Sequence, residues 1–142
     1  MPQKLVIEGN LPSRFILLGE DDEDDRDMLK EAFTALESSL VILFVNSGKE
    51  VLSALDKLPP ESLPCLIVLD YNMPEMNGAD ILLEINKHEK FNSIPRIVWS
   101  TSGAEKYKQI CLQRGAADYI IKPSTSEELQ QIAKYMLSLC DA

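Results

Sequence analysis

Residues able to handle phosphoryl groups and hard cations recur in this sequence where an apolar run ends. Glu20, Asp21 and Asp22 follow RFILLG, Asp70 closes CLIVLD, Ser100 closes IPRIVWS with Thr101 next, and Lys122-Pro123 follows DYII. Crowded carboxylates stay ionised only when a cation compensates them. A Mg²⁺ ion with oxygen ligands does so while keeping several waters. Lysine brings a mobile point charge suited to a phosphate oxygen, and an aspartate can itself be the nucleophile that takes a phosphoryl group. A serine hydroxyl can then hydrogen-bond the arriving oxygens. The combination describes a metal-assisted phosphoryl-acceptor site. A competing explanation covers part of it. The run EDDEDDRD (20–27) holds seven acids in eight residues, and acids at a helix start are favoured by the macrodipole at about 0.3–1 kcal/mol each. That accounts for Glu23, Asp24, Asp25 and Asp27, but not for an aspartate ending the apolar run at Asp70 or for the Lys-Pro step.

The elements that would bring these residues together are legible from periodicity. Apolar runs at 14–19, 40–45, 65–70, 94–100 and 118–122 read as strands, and the continuous apolar character of 65–69 suits a strand covered on both faces. Between them lie helical patterns. Met28, Leu29, Ala32, Phe33 and Leu36 share one face of a helix over 24–37. Val51, Leu52 and Leu55 mark a short helix ended by Pro59-Pro60. Ile81, Leu82 and Ile85 mark a third, and 105–114 a fourth closed by Gly115. From about Thr125 a last helix carries Leu129, Ile132, Ala133, Met136, Leu137 and Cys140. Strict β-α alternation predicts an α/β fold, a doubly wound five-stranded parallel sheet of flavodoxin-like order 2-1-3-4-5 with five helices. Ligands of such sheets bind at the carboxyl ends of the strands, where the polar residues gather.

Composition narrows the function classes. The 142 residues carry a formal net charge of −9, which argues against nucleic acid or an anionic membrane as a partner. No apolar run approaches a membrane span, and MPQKLVIEGNLPSR lacks the pattern of a signal peptide. The three cysteines, Cys65, Cys111 and Cys140, are far apart without zinc-ligand spacing, and the single His88 lies in a polar stretch as a solvated residue. A cytoplasmic chain is expected. Its organisation reads as an N-terminal extension over 1–13 and one domain over 14–142.

The motifs ILLGEDD, LIVLDYNMPEMNG, IVWSTS and GAADYIIKP, in this order and spacing, resemble the receiver domain of two-component response regulators (CheY-like) over roughly 14–140. The resemblance implies that Asp70 is phosphorylated by a histidine kinase or phosphotransfer protein. It implies Mg²⁺, with Mn²⁺ as the alternative ion, held by Glu20, Asp21, Asp70 and the backbone carbonyl of Asn72. Ser100 matches the switch hydroxyl, with Thr101 beside it. Lys122 matches the phosphate-binding lysine and Tyr119 the switch aromatic, and a cis bond is implied before Pro123. Two residues depart from the pattern: Gly19, where a bulky aliphatic is usual, and Trp99 before the switch serine.

The resemblance further implies a phosphoacceptor signalling protein rather than an enzyme, with self-phosphorylation and self-dephosphorylation as its only chemistry. With the chain ending at Ala142, a stand-alone receiver is expected, most similar to the phytochrome-linked type. It would signal to a downstream protein through the face of the fourth helix, fifth strand and fifth helix, which also serves some relatives as a homodimer contact. The alternatives fit less well. A haloacid-dehalogenase-type phosphatase wants an acid where Asn72 stands, and a calcium loop from Glu20 would place Asp25 where glycine is required. The remaining alternative is a phosphorylation-independent scaffold with a receiver fold.

Overall fold

Runs of aliphatic residues make the strands, and a polar side chain caps the start of every α-helix but one. The computed structural model describes Pro12 and residues 14–141; the expected extension lies outside them except for Pro12. The order is β1 (Phe15–Gly19), α1 (Glu23–Leu36), β2 (Val41–Val45), α2 (Gly48–Lys57), β3 (Leu66–Asp70), α3 (Gly78–Ile85), a 3-10 turn (Glu89–Phe91), β4 (Arg96–Ser100), α4 (Glu105–Gln113), β5 (Asp118–Ile121) and α5 (Ser126–Cys140). Asp22, Ser47, Asn77 and Thr125 cap α1, α2, α3 and α5, each side chain accepting from the N–H three residues on. Helix α4 starts after Ala104 with no side-chain cap.

The five strands form one parallel sheet in the order β2-β1-β3-β4-β5, as expected. Alternate residues of the central strands point to opposite faces, so each face acquires its own core. Ile16, Leu18, Val68, Ile97 and Trp99 pack with α1 and α5. Phe15, Leu17, Ile67, Leu69 and Val98 pack with α2, α3 and α4. The register sets Gly19 beside Leu69 and Asp70 beside Trp99, which brings the strand ends to a common edge.

Several details differ from the expectation. On α1 only Leu29, Ala32 and Phe33 are buried, whereas Met28 and Leu36 are exposed, so the apolar stripe is narrower than the periodicity suggested. The peptide bond before Pro123 is trans, correcting the implied cis bond. The trans form is favoured by about 0.5–1 kcal/mol for an X-Pro bond, and Lys122 reaches the acidic cluster from it. Cys65 and Cys140, remote in sequence, are joined by a disulfide with their Cα atoms 4.8 Å apart, while Cys111 is free and buried. Sequence spacing gave no sign of the pairing, because the fold brings the end of α5 back to the start of β3. Gly19 is closely approached: a Cβ there would lie 2.9 Å from Val51 Cγ2 and 3.0 Å from Met73 Cε. Space, rather than backbone conformation, excludes a larger residue. His88 is exposed and opens the 3-10 turn. No helix among the described residues is long and apolar enough to cross a membrane.

Candidate functional site

The carboxyl ends of β1, β3, β4 and β5 meet at one edge of the sheet and carry the polar residues inward. Glu20, one residue beyond β1, is completely buried, and Asp70, the last residue of β3, is 4% exposed. Asp21 is exposed. One carboxylate oxygen from each of Glu20, Asp21 and Asp70 lies within 4.8 Å of the others. Backbone groups fix two of them, since the Asp22 N–H donates to Glu20 Oε2 (3.2 Å) and the Asn72 N–H donates to Asp70 Oδ1 (3.1 Å).

Lys122, just beyond β5, reaches into this cluster. Its Nζ lies 2.7 Å from Asp25 Oδ2, 2.9 Å from Glu20 Oε1 and 3.2 Å from Asp70 Oδ2. Burial alone would lower the ammonium's pKa. The hydrogen bond to Asp25 and the close approach of Glu20, with the charge of Asp70, outweigh it and raise the pKa instead. For Glu20 the balance goes the other way. Burial first, then its contact with Asp70, lift the carboxyl to about 8, although Lys122 opposes the rise. Glu20 Oε1 is close to Lys122 but lacks an aligned hydrogen bond. A buried oxygen short of a partner, beside two further carboxylates, suits a hard divalent cation.

The other expected residues divide. Ser100 ends β4 fully buried; its Oγ accepts the Ser102 N–H (3.1 Å) and its carbonyl accepts the Lys122 N–H (2.8 Å). Tyr119 in β5 is buried and donates from its hydroxyl to the Ser102 carbonyl (2.7 Å). Its ring meets Tyr71 edge-on at 6.5 Å, and Tyr71 in turn stacks on Tyr107 of α4 at 4.5 Å. Asn72 lies at the rim, exposed, joined to Asp70 through its backbone. Thr101 is exposed.

Sequence reasoning assigned Asp25 to the helix macrodipole, yet it makes the shortest contact to Lys122. It lies in the first turn of α1 with Glu23 and Asp24, and only its proximity to Lys122 separates it from those acids. Trp99 precedes Ser100 on β4 and is one of the two departures from the family pattern. It is 2% exposed, and the Lys122 ammonium lies 5.0 Å from the centre of its ring.

Comparison with known proteins agrees with this geometry. The family model described as the response regulator receiver domain matches residues 16–134. The two-component response regulator ORR7 of Oryza sativa subsp. japonica is 33% identical over 116 residues, which is 80% of this chain but only 54% of that protein. The chain thus spans about half the length of ORR7. ORR8 of the same subspecies is 31% identical over 126 residues, covering 89% of this chain and 100% of that protein. Among solved structures, the phosphorylated cyanobacterial phytochrome response regulator RcpA superposes with a TM-score of 0.78 at 29% identity, covering 89% of this chain and 94% of its own. The Mn²⁺-bound form of the response regulator Rcp1 shares the fold with a TM-score of 0.76 at 24% identity, over 89% and 93% of the two chains.

Proposed function

The chain belongs to the response regulator receiver domain family, and from that premise we propose that it accepts a phosphoryl group on Asp70 from a histidine kinase or phosphotransfer protein. The observation that carries this reading is the convergence on Asp70 of a lysine ammonium at 3.2 Å and the carboxylates of Glu20 and Asp21 at a single strand edge. An Asp70 carboxylate oxygen attacks the phosphorus of the donor. The bond from phosphorus to the leaving nitrogen breaks, and its electron pair stays with that nitrogen. The Lys122 ammonium offsets charge on the transferred group. The Ser100 hydroxyl keeps its own proton to donate to a phosphoryl oxygen. Glu20, Asp21, Asp70 and the Asn72 carbonyl would hold Mg²⁺ or Mn²⁺, which when bound neutralises the phosphoryl oxygens. Hydrolysis of the acyl phosphate returns the protein to its starting state, so no separate catalytic cycle is assigned.

The output follows from the elements next to the site. Tyr119 and Ser100 connect it to β5 and to the loop before α4. The fourth helix, β5 and α5 each expose a large apolar side chain, Leu112, Ile121 and Tyr135 respectively. This supports a protein-binding face there, for a downstream target or a second copy of the chain, and neither nucleic acid nor membrane is assigned as a partner. The full-length match to ORR8 supports a stand-alone receiver, and the fit to RcpA supports a phytochrome-linked one; a cytoplasmic site of action is part of the same proposal. Intact-protein mass after incubation with Mg²⁺ and acetyl phosphate tests the assignment. Wild type gains one phosphoryl group and Asp70→Asn gains none. A phosphorylated Asp70→Asn variant would overturn the choice of residue. No gain by wild type would favour the scaffold reading.

A further inference from the structure

We infer that Trp99 is a positioning residue for Lys122, its indole face holding the ammonium over Asp70; this rests on the phosphoacceptor reading above. Three observations meet here. The parallel register pairs Trp99 with Asp70 across β3 and β4, so both side chains project from the same face of the sheet. The Lys122 Nζ sits 5.0 Å from the centre of the indole ring and 3.2 Å from Asp70 Oδ2. Trp99 is 2% exposed, and its Nε1 is buried without a hydrogen-bond partner.

The last point separates positioning from packing. A branched aliphatic would fill the same space between α1 and α5 without stranding a donor, which costs free energy when buried. Indole instead offers the strongest of the aromatic faces for a cation, and the attraction grows when the pair is removed from water. Lysine needs such a support, because its ammonium rides on a flexible four-carbon stem. Glu20, Asp25 and Asp70 now hold it from the carboxylate side. Glu20 and Asp70 are also the residues proposed to hold the cation, and carboxylates engaged by a metal attract the ammonium less. The ring keeps its hold regardless of what the carboxylates bind. A cavity of about 460 Å³ between α1 and α5, lined by Trp99, Lys122, Asp25 and Gln130, gives the lysine room to swing away if that support is lost.

Two variants of Trp99 and one of Lys122 test this. Trp99→Phe keeps a ring face and Trp99→Leu removes it, both within an apolar core. With Mg²⁺ and acetyl phosphate, Trp99→Leu is expected to be phosphorylated about tenfold more slowly than wild type and Trp99→Phe within about threefold, the spread a desolvated cation–π contact allows. Equal rates for wild type and Trp99→Leu, or equal losses in both variants, overturn the inference. A second measurement needs neither phosphate nor metal and stays decisive if Trp99→Leu fails to fold. Trp99 is the only tryptophan, so its emission in the metal-free protein reports contact with the ammonium. Emission differing between wild type and Lys122→Met supports the contact. Unchanged emission overturns it, whether or not Asp70 proves to be the acceptor.

Discussion

Glu20 joins two demands that pull against each other. It is fully buried beside Asp70, so its carboxyl is lifted from the ordinary 4.5 to about 8, yet as a cation ligand it must be ionised. The sign of the resulting linkage is definite. Between about pH 4.5 and 8 the folded, metal-free protein holds a proton on Glu20 that the unfolded chain does not. The contribution of this group to stability is therefore full below 4.5 and is lost as the pH rises through 8. Mg²⁺ must displace the same proton, so its affinity is expected to increase with pH up to about 8, by at most about tenfold per unit for one proton. Calorimetric titrations with Mg²⁺ at pH 6, 7 and 8, in two buffers of different ionisation enthalpy, measure both the affinity and the proton release. Affinity that is flat across this range would mean Glu20 is already ionised. Glu20, Asp70 and Lys122 could be picked out from sequence because each interrupts or ends an apolar run. Asp25 could not, because it stands among seven acids in eight residues and only three-dimensional proximity to Lys122 distinguishes it.

Strands and helices differ in how firmly they hold that site. Strands β1, β3 and β4 are buried along their whole length, which is why their apolar runs could be read directly and why the strand order followed from right-handed crossovers. Helix α4 is the loosest of the α-helices. It buries only Cys111, and its first turn lacks a capping side chain because Ala104 stands at the N-cap position. What fastens it are the stack of Tyr107 on Tyr71, next to Asp70, and the reach of Arg114 to the Ala79 carbonyl at 2.8 Å. The extent of this helix was legible from periodicity but its weak start was not, since a cap is judged by backbone geometry as well as residue type. The Ala104 backbone is extended, at φ −61° and ψ 122°, which suits a capping serine. Ala104→Ser is expected to stabilise the protein by about 0.5–2 kcal/mol, measured as a rise in the urea midpoint at unchanged slope. A midpoint that does not move would show that the loop already satisfies the free N–H groups of α4 in another way. If repositioning of α4 carries the signal, the same variant should also weaken the response of partner binding to phosphorylation.

At the scale of the molecule, the edge of the sheet away from Asp70 is where the last helix is tied down. Arg14, just before β1, pairs with Glu37 at the end of α1 and with Asp141 at the end of α5. Beside them the disulfide joins Cys140, the last residue of α5, to Cys65 before β3. Exposed ion pairs such as Arg14–Asp141 contribute at most about 1 kcal/mol. The disulfide is the larger constraint, because it closes a segment of 75 residues that contains Asp70, Ser100 and Lys122. On the chain-entropy account, closing a loop of that length stabilises the folded state by about 4 kcal/mol. Reduction, or Cys140→Ser, should therefore lower the denaturation midpoint by an amount of that order while leaving phosphorylation of Asp70 intact, since the bond lies at the opposite end of the strands. Alkylation of the unfolded chain under non-reducing conditions checks the premise, with Cys111 labelled and Cys65 and Cys140 protected. Labelling at all three would show a dithiol in solution, and a midpoint indifferent to reductant would then be the required companion result. Bonds of this kind are rare in reducing compartments. In a reducing compartment the pair would spend much of its time open, and the end of α5 would then be held by the Arg14–Asp141 pair and by the packing of Leu129, Ala133, Met136 and Leu137 against the sheet. The difference in midpoint between oxidised and reduced protein is thus a direct measure of how much stability the fold must supply without its crosslink.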